Sequence, residues 1–117
     1  MDYRKLFLGI FLFFVMHTIF WFSTNLQFVK ESWKDKSLFI AVCLAIPGTV
    51  LAYYGARFTY EALGNTAWGS RFIGFGSSWF VFPVLTWLIL RESMLTGKTL
   101  VCTALAFSII LIQIFWE

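Results

Sequence analysis

Charge is what this chain has least of. Of its 117 residues, 13% are charged, against about 25% in an ordinary soluble domain. With 60% hydrophobic and 21% aromatic residues beside that deficit, the chain suits a bilayer and not water. Metal ligands are scarce as well. One His and two Cys fall short of a zinc set, and Cys43 and Cys102 both lie inside apolar runs, where a thiol is an inert packing group. No P-loop, dinucleotide-binding fingerprint, nucleophile elbow or HExxH stretch is present, so no enzyme, no cofactor and no metal is expected. A net charge of +3 is too small to imply a nucleic-acid partner.

What the chain does have is four long apolar runs. The organising one is Phe72–Leu90, uncharged throughout and closed by Arg71 on one side and Arg91–Glu92 on the other. As a helix rising about 1.5 Å per residue it spans roughly 28 Å, the hydrocarbon thickness of a bilayer. With its neighbours it predicts spans over about 6–28, 38–62, 70–90 and 99–116. Arg4 and Lys5 precede the first run, but no small-x-small cleavage site follows it, so it reads as a retained span and not a signal peptide. The expected fold is all-α: one four-helix integral membrane bundle over residues 1–117, both ends on one side. The ends' side then carries Arg4, Lys5, Arg57 and Arg71, and the other carries Lys30, Lys34, Lys36, Arg91 and Lys98, which exhausts the 9 basic residues. Four against five is hardly a bias, and leaves orientation open, dual insertion included.

Polar residues inside the runs are the candidates for function, because lipid penalises them unless they face protein or water. In the first span His17, Thr18, Thr24 and Asn25 occupy one arc with Trp21 at its middle. In the second, Pro47–Gly48 predicts a kink, and Thr49, Tyr53, Arg57 and Tyr60 share a face with Glu61 at its margin. Arg57 and Glu61 are spaced to pair, either as an interfacial anchor with Arg57 reaching the headgroups or as a charged element of a substrate path. In the third span Ser70, Gly74 and Ser78 recur every fourth residue, a small-residue face for close helix packing or for a hinge. Gly74-x-Gly76 is expected to loosen that helix near its start and Pro83 to bend it, so that Pro47, Gly76 and Pro83 join the packing or hinge residues. Thr99, Thr103, Ala106, Ile110 and Gln113 share one face of the fourth span, with Gln113 seeking a helix partner or interfacial water. Trp33 and Trp116 are expected interface anchors, and Gly64–Asn65 marks the turn before the third span.

Beyond Tyr60 the sequence resembles a known group. The features are Ala62–Leu63 and Thr66 before the third helix, Pro83-Val84-Leu85-Thr86 within it, Leu90-x-Glu92 after it, and a basic-capped last span. These are similar to the terminal helix pair of the drug/metabolite transporter superfamily. The four-span length and Gly74-x-Gly76 resemble its small multidrug resistance proteins. That resemblance implies a transporter-like protein of the cell (inner) membrane. It departs in one respect. The multidrug exporters carry a proton-exchanging glutamate in the first helix, whereas Leu6–Phe28 contains no Asp or Glu and has His17 as its sole titratable group.

The expected function is therefore movement of a small solute across the membrane by a homo-oligomer, most simply a homodimer. The path would run past His17, Trp21, Asn25, Tyr53, Arg57 and Glu61, with Arg91 and Glu92 anchoring the loop between the last two spans. The missing carboxylate and positive Arg57 favour an anionic or zwitterionic solute over a lipophilic cation. The rival expectation is a non-transporting accessory or assembly subunit that docks its aromatic surface on a larger membrane complex.

Overall fold

The computed structural model describes residues 2–93 and 95–116; Met1, Met94 and Glu117 lie outside the described residues. Four long helices account for most of the chain, each long and apolar enough to cross a membrane. They are α1 (Tyr3–Asn25), α2 (Ser37–Ala62), α3 (Ala67–Leu85) and α4 (Gly97–Phe115). The chain is an all-α, multi-pass membrane protein.

The helix ends follow local chemistry. Asp2 caps α1 by accepting the Lys5 N–H at 3.2 Å, which starts the helix three residues before the apolar run does. Thr96 caps α4 in the same way through the Thr99 N–H. The α2–α3 turn uses two left-handed residues, Gly64 at φ 78° and Asn65 at φ 60°, residue types that tolerate this region. Between α1 and α2 lie two short 3₁₀ turns, Leu26–Phe28 and Glu31–Trp33, with Lys30 Nζ 5.1 Å over the Trp33 ring. α2 runs as one element through Pro47, and α3 runs unbroken through Gly74, Gly76 and Pro83.

Beyond Leu85 the helix widens into a π turn, Thr86–Leu90. It closes on Arg91 at φ 61°, with the Arg91 and Glu92 N–H groups both directed at the Thr86 carbonyl. Arg91 thus fills a left-handed cap position that glycine would occupy without cost.

Contacts between named residues give the topology. Lys5 near the start of α1 meets Glu61 at the end of α2, so α1 and α2 are antiparallel. His17 meets Gly74, and Trp21 meets Thr86, so α1 and α3 are parallel. Gly69 and Gly76 of α3 lie against Gln113 and Ile110 of α4, so that pair is antiparallel. The order is up-down-up-down. α1 packs on α2 and α3, and α2 touches α3, while α4 packs on α3. The core is Phe13, Met16 and Ile73, flanked by Ile10, Phe20, Leu51 and Ile110.

The molecule measures 49 × 36 × 18 Å, and its short dimension equals about two helix diameters. Most large apolar side chains of α2 and α4 point outward, as lipid-facing residues do. Cys43 and Cys102 are among the outward residues, so neither is packed inside the chain as expected. They sit on outer helices, on faces that meet no neighbour. Gly76, expected as a packing or hinge residue, sits at a tight α3–α4 contact: a Cβ there would run into the Ile110 side chain.

Candidate functional site

Between α1, α2 and α3 lies a groove of about 1020 Å³. Its formation follows from residue size. Ala52 and Ala56 on α2, and Ser70, Gly74 and Ser78 on α3, are too small to fill the space between the two helices. α1 supplies the floor with Phe13, Met16, His17 and Phe20. The rims are exposed residues: Tyr53, Arg57 and Tyr60 from α2, and Arg71 and Phe75 from α3.

The structure brings most of the sequence-derived candidates to this place. His17, Tyr53, Arg57, Glu61, Ser70, Gly74 and Ser78 all line the groove. Trp21 and Asn25 line a smaller adjoining cavity of about 150 Å³, which shares His17, Phe20 and Ser78 with the groove. Pro47, Gly76, Pro83, Arg91 and Glu92 lie outside both. Thr49 also lies outside them and returns its hydroxyl to the Ala45 carbonyl.

From His17 to Asn25, each polar side chain of α1 has a definite partner. The His17 Nε2–H donates to the Gly74 carbonyl at 2.7 Å, which sets that nitrogen as the protonated one. Trp21 is 3% exposed and donates its indole N–H to Thr86 Oγ1 at 3.0 Å. Thr18, Thr24 and Asn25 bond carbonyls one turn back in their own helix, so they line α1 without bridging to another element. On the α2–α3 side, Thr59 is fully buried. Its hydroxyl lies 2.8 Å from that of Ser70; Thr59 reaches the carbonyls of Gly55 and Ala56, and Ser70 reaches that of Ala56. Ser70 therefore seals the α2–α3 contact, while Gly74 and Ser78 face the groove.

The expected Arg57–Glu61 pair does not form. Glu61 instead binds Lys5 Nζ at 2.9 Å. Arg57 donates to the Tyr53 hydroxyl at 3.0 Å, and its guanidinium lies 5.2 Å from the Tyr53 ring centroid and 5.7 Å from that of Tyr54. A lysine from α1 outcompetes the i+4 arginine because the two helix ends meet side by side, whereas Arg57 finds aromatic faces closer to its own backbone. Among the described residues the ion pairs are Lys5–Glu61 and Lys34–Glu31, and neither involves Arg57 or Arg71. Among the described residues the groove's single carboxylate, Glu61, is thus neutralised, and its two arginines leave that end cationic.

The sequence pointed to Thr86 only as a member of the Pro83–Thr86 motif, and did not single out Thr59, the Trp21–Thr86 bond or the Lys5–Glu61 contact. A signal for the last was available, since both residues fall at helix ends assigned to one side of the membrane. Thr59 and the Trp21–Thr86 bond gave none, because a hydroxyl in a membrane helix usually bonds its own backbone. Comparison with known proteins finds no matching family model, no similar curated protein and no similar solved structure.

Proposed function

We propose that this chain is a small transporter-like protein whose solute path is the groove between α1, α2 and α3, and that it works as a homodimer. The observation that carries the reading is a roomy cavity holding His17, Arg57 and Arg71 within helices otherwise apolar enough to span lipid. Polar and ionisable groups within such spans are costly in lipid and mark solute pathways. The groove is rimmed by exposed side chains, and the chain is only 18 Å deep, so one copy does not surround a path. A second copy laid across the open side supplies the missing wall and doubles the helices to eight. The reading places the protein in a cell (inner) membrane and assigns it no chemical transformation.

The four-span length and Gly74-x-Gly76, which resemble small multidrug resistance proteins, fit a transporter scheme, but the cationic groove argues for a different cargo. Proteoliposomes loaded with carboxyfluorescein or with ethidium test this. The expected result is protein-dependent flux of the anion, lowered at least tenfold by His17→Ala and by Arg57→Ala, and changed less than twofold by Glu92→Gln. Glu92 lies outside the groove, in the loop after the π turn. Proton-coupled ethidium export, indifferent to the first two changes, would overturn the reading. A chain that stays monomeric in nanodiscs and moves neither solute when reconstituted in proteoliposomes would favour the accessory-subunit alternative, in which the exposed aromatic surface docks on a larger complex.

A further inference from the structure

We infer that the groove takes an amphiphile with one anionic head, a phosphate or carboxylate, its head between Arg57 and Arg71 and its apolar body laid toward His17. The inference rests on the groove being the occupied site, and it names the chemistry of the occupant.

The cationic end comes first. The 2.8 Å contact between the Thr59 and Ser70 hydroxyls fixes α2 and α3 at one level. Because the helices are antiparallel, stepping back from Thr59 to Arg57 and forward from Ser70 to Arg71 moves in the same direction. The two arginines therefore stand at heights differing by only about 1.5 Å, on opposite rims. Arg57 is held by Tyr53 and Tyr54 through one hydrogen bond and two ring faces. That hydrogen bond uses one of five guanidinium N–H donors, and the remaining fork suits a two-oxygen anion. Glu61, which would repel such a head, is occupied by Lys5 at 2.9 Å.

Further in, the groove changes character. Phe13, Met16, Phe20 and Phe75 line it, with small residues opposite. From Arg71 to Ser78 the helix rises about 10 Å, enough for a short length of alkyl chain. Charge at one end and apolar walls behind it match neither inorganic anions nor neutral lipid. The arginines also lie within about 8 Å of the helix ends, so an amphiphile held there keeps its head near the membrane surface.

Binding of dodecyl phosphate to the parent in phosphatidylcholine nanodiscs tests the inference, with inorganic phosphate and dodecyltrimethylammonium alongside. Saturable dodecyl phosphate binding is expected, at least tenfold tighter than either comparison ligand. Arg57→Gln and Arg71→Gln should each weaken it about tenfold, Arg57→Lys less, and Lys98→Gln, outside the groove, not at all. Replacing part of the nanodisc lipid with phosphatidic acid separates sources. Displacement of dodecyl phosphate assigns the site to bilayer lipid, and no displacement assigns it to a free amphiphile; either upholds the site. Equal binding of the cationic and anionic dodecyl compounds would overturn it, and that comparison needs no variant. Unchanged binding in folded Arg57→Gln/Arg71→Gln would overturn it too. Binding without any flux in proteoliposomes would uphold this site and end the transport reading, whereas flux of carboxyfluorescein without amphiphile binding would do the reverse.

Discussion

On its α1 side, α3 is reached by side chains bearing polar hydrogens. His17 donates to the Gly74 carbonyl, and Trp21 to Thr86 Oγ1. On its α4 side, α3 is reached by hydrocarbon pressed onto glycine, with Ile110 filling the space where a Gly76 side chain would be. The contrast reflects the solvent. Lipid tails are as apolar as leucine, so burying apolar surface between helices gains little over leaving it in lipid. Two means of holding helices together remain, hydrogen bonds across the seam and close fit, and α3 uses one on each side. The groove lies on the hydrogen-bonded side. There small residues leave space, and a Cβ at Gly74 would first meet the Phe13 ring, at 3.3 Å. The fitted side has no such room.

The fitted seam is expected to be the more brittle. Gly76→Ala should cost about 1–3 kcal/mol through overpacking and Gly76→Leu more, because Ile110 is branched at Cβ and has few alternative rotamers. Thermal melting in one detergent should show Gly74→Ala much milder than Gly76→Ala. Adding Ile110→Ala to Gly76→Ala should restore part of the loss, which a double-mutant cycle would measure. Equal melting of the two alanine variants would erase the contrast between the seams.

On the hydrogen-bonded seam, Thr86→Val leaves the nearly buried Trp21 N–H without its partner. A loss of about 1 kcal/mol is expected, near the middle of measured values for such bonds in membranes. Trp21→Phe and Thr86→Val combined should then cost less than the sum of the two alone, because either change by itself already removes the bond. A Thr86→Val variant as stable as the parent would mean the hydrogen bond contributes nothing to the seam.

Arg91→Gly should act in the opposite direction by about 1 kcal/mol, since Arg91 holds a left-handed backbone at the close of the π turn that carries Thr86. If the melting temperature falls instead, the Arg91 side chain has a role the backbone does not disclose. The smallest effect belongs to the rim. Lys5→Gln removes a pair whose side chains are 43% and 38% exposed, so stability should fall by only a few tenths of a kcal/mol and less in high salt. Binding of dodecyl phosphate should weaken at the same time, because Glu61 then faces the groove uncompensated. Strong destabilisation with unchanged binding would show the pair to be structural.

Much of the helical frame was legible in the residues. The four apolar runs coincide with four helices, and Gly64–Asn65 is the turn between α2 and α3. The helices start two or three residues outside the apolar runs at Tyr3, Ala67 and Gly97, because caps such as Asp2 and Thr96 are set by backbone hydrogen bonding and not by lipid. The polar faces of α1 and α2 were legible too, since lipid leaves few reasons for His17 or Arg57 inside a span. Their partners were not. Glu61 is four residues from Arg57 and fifty-six from Lys5, yet binds Lys5. Gly76 read as either a packing point or a hinge, because glycine both weakens a helix and admits a neighbour, and its neighbour across the seam, Ile110, makes it a close-packing point.

Composition and periodicity by themselves determined that this chain crosses a bilayer four times as helices, because every backbone polar group in lipid must be satisfied within its own segment. They also determined which side chains are unusual there. Tertiary structure alone decided what those side chains do. Which glycine is filled, which acid is neutralised, and whether Arg57 and Arg71 stand on facing rims all depend on how separate helices are turned about their axes. In a bilayer that rotation is set by a few hydrogen bonds and close contacts between residues distant in sequence, whereas apolar pattern, nearly uniform around these helices, leaves it open.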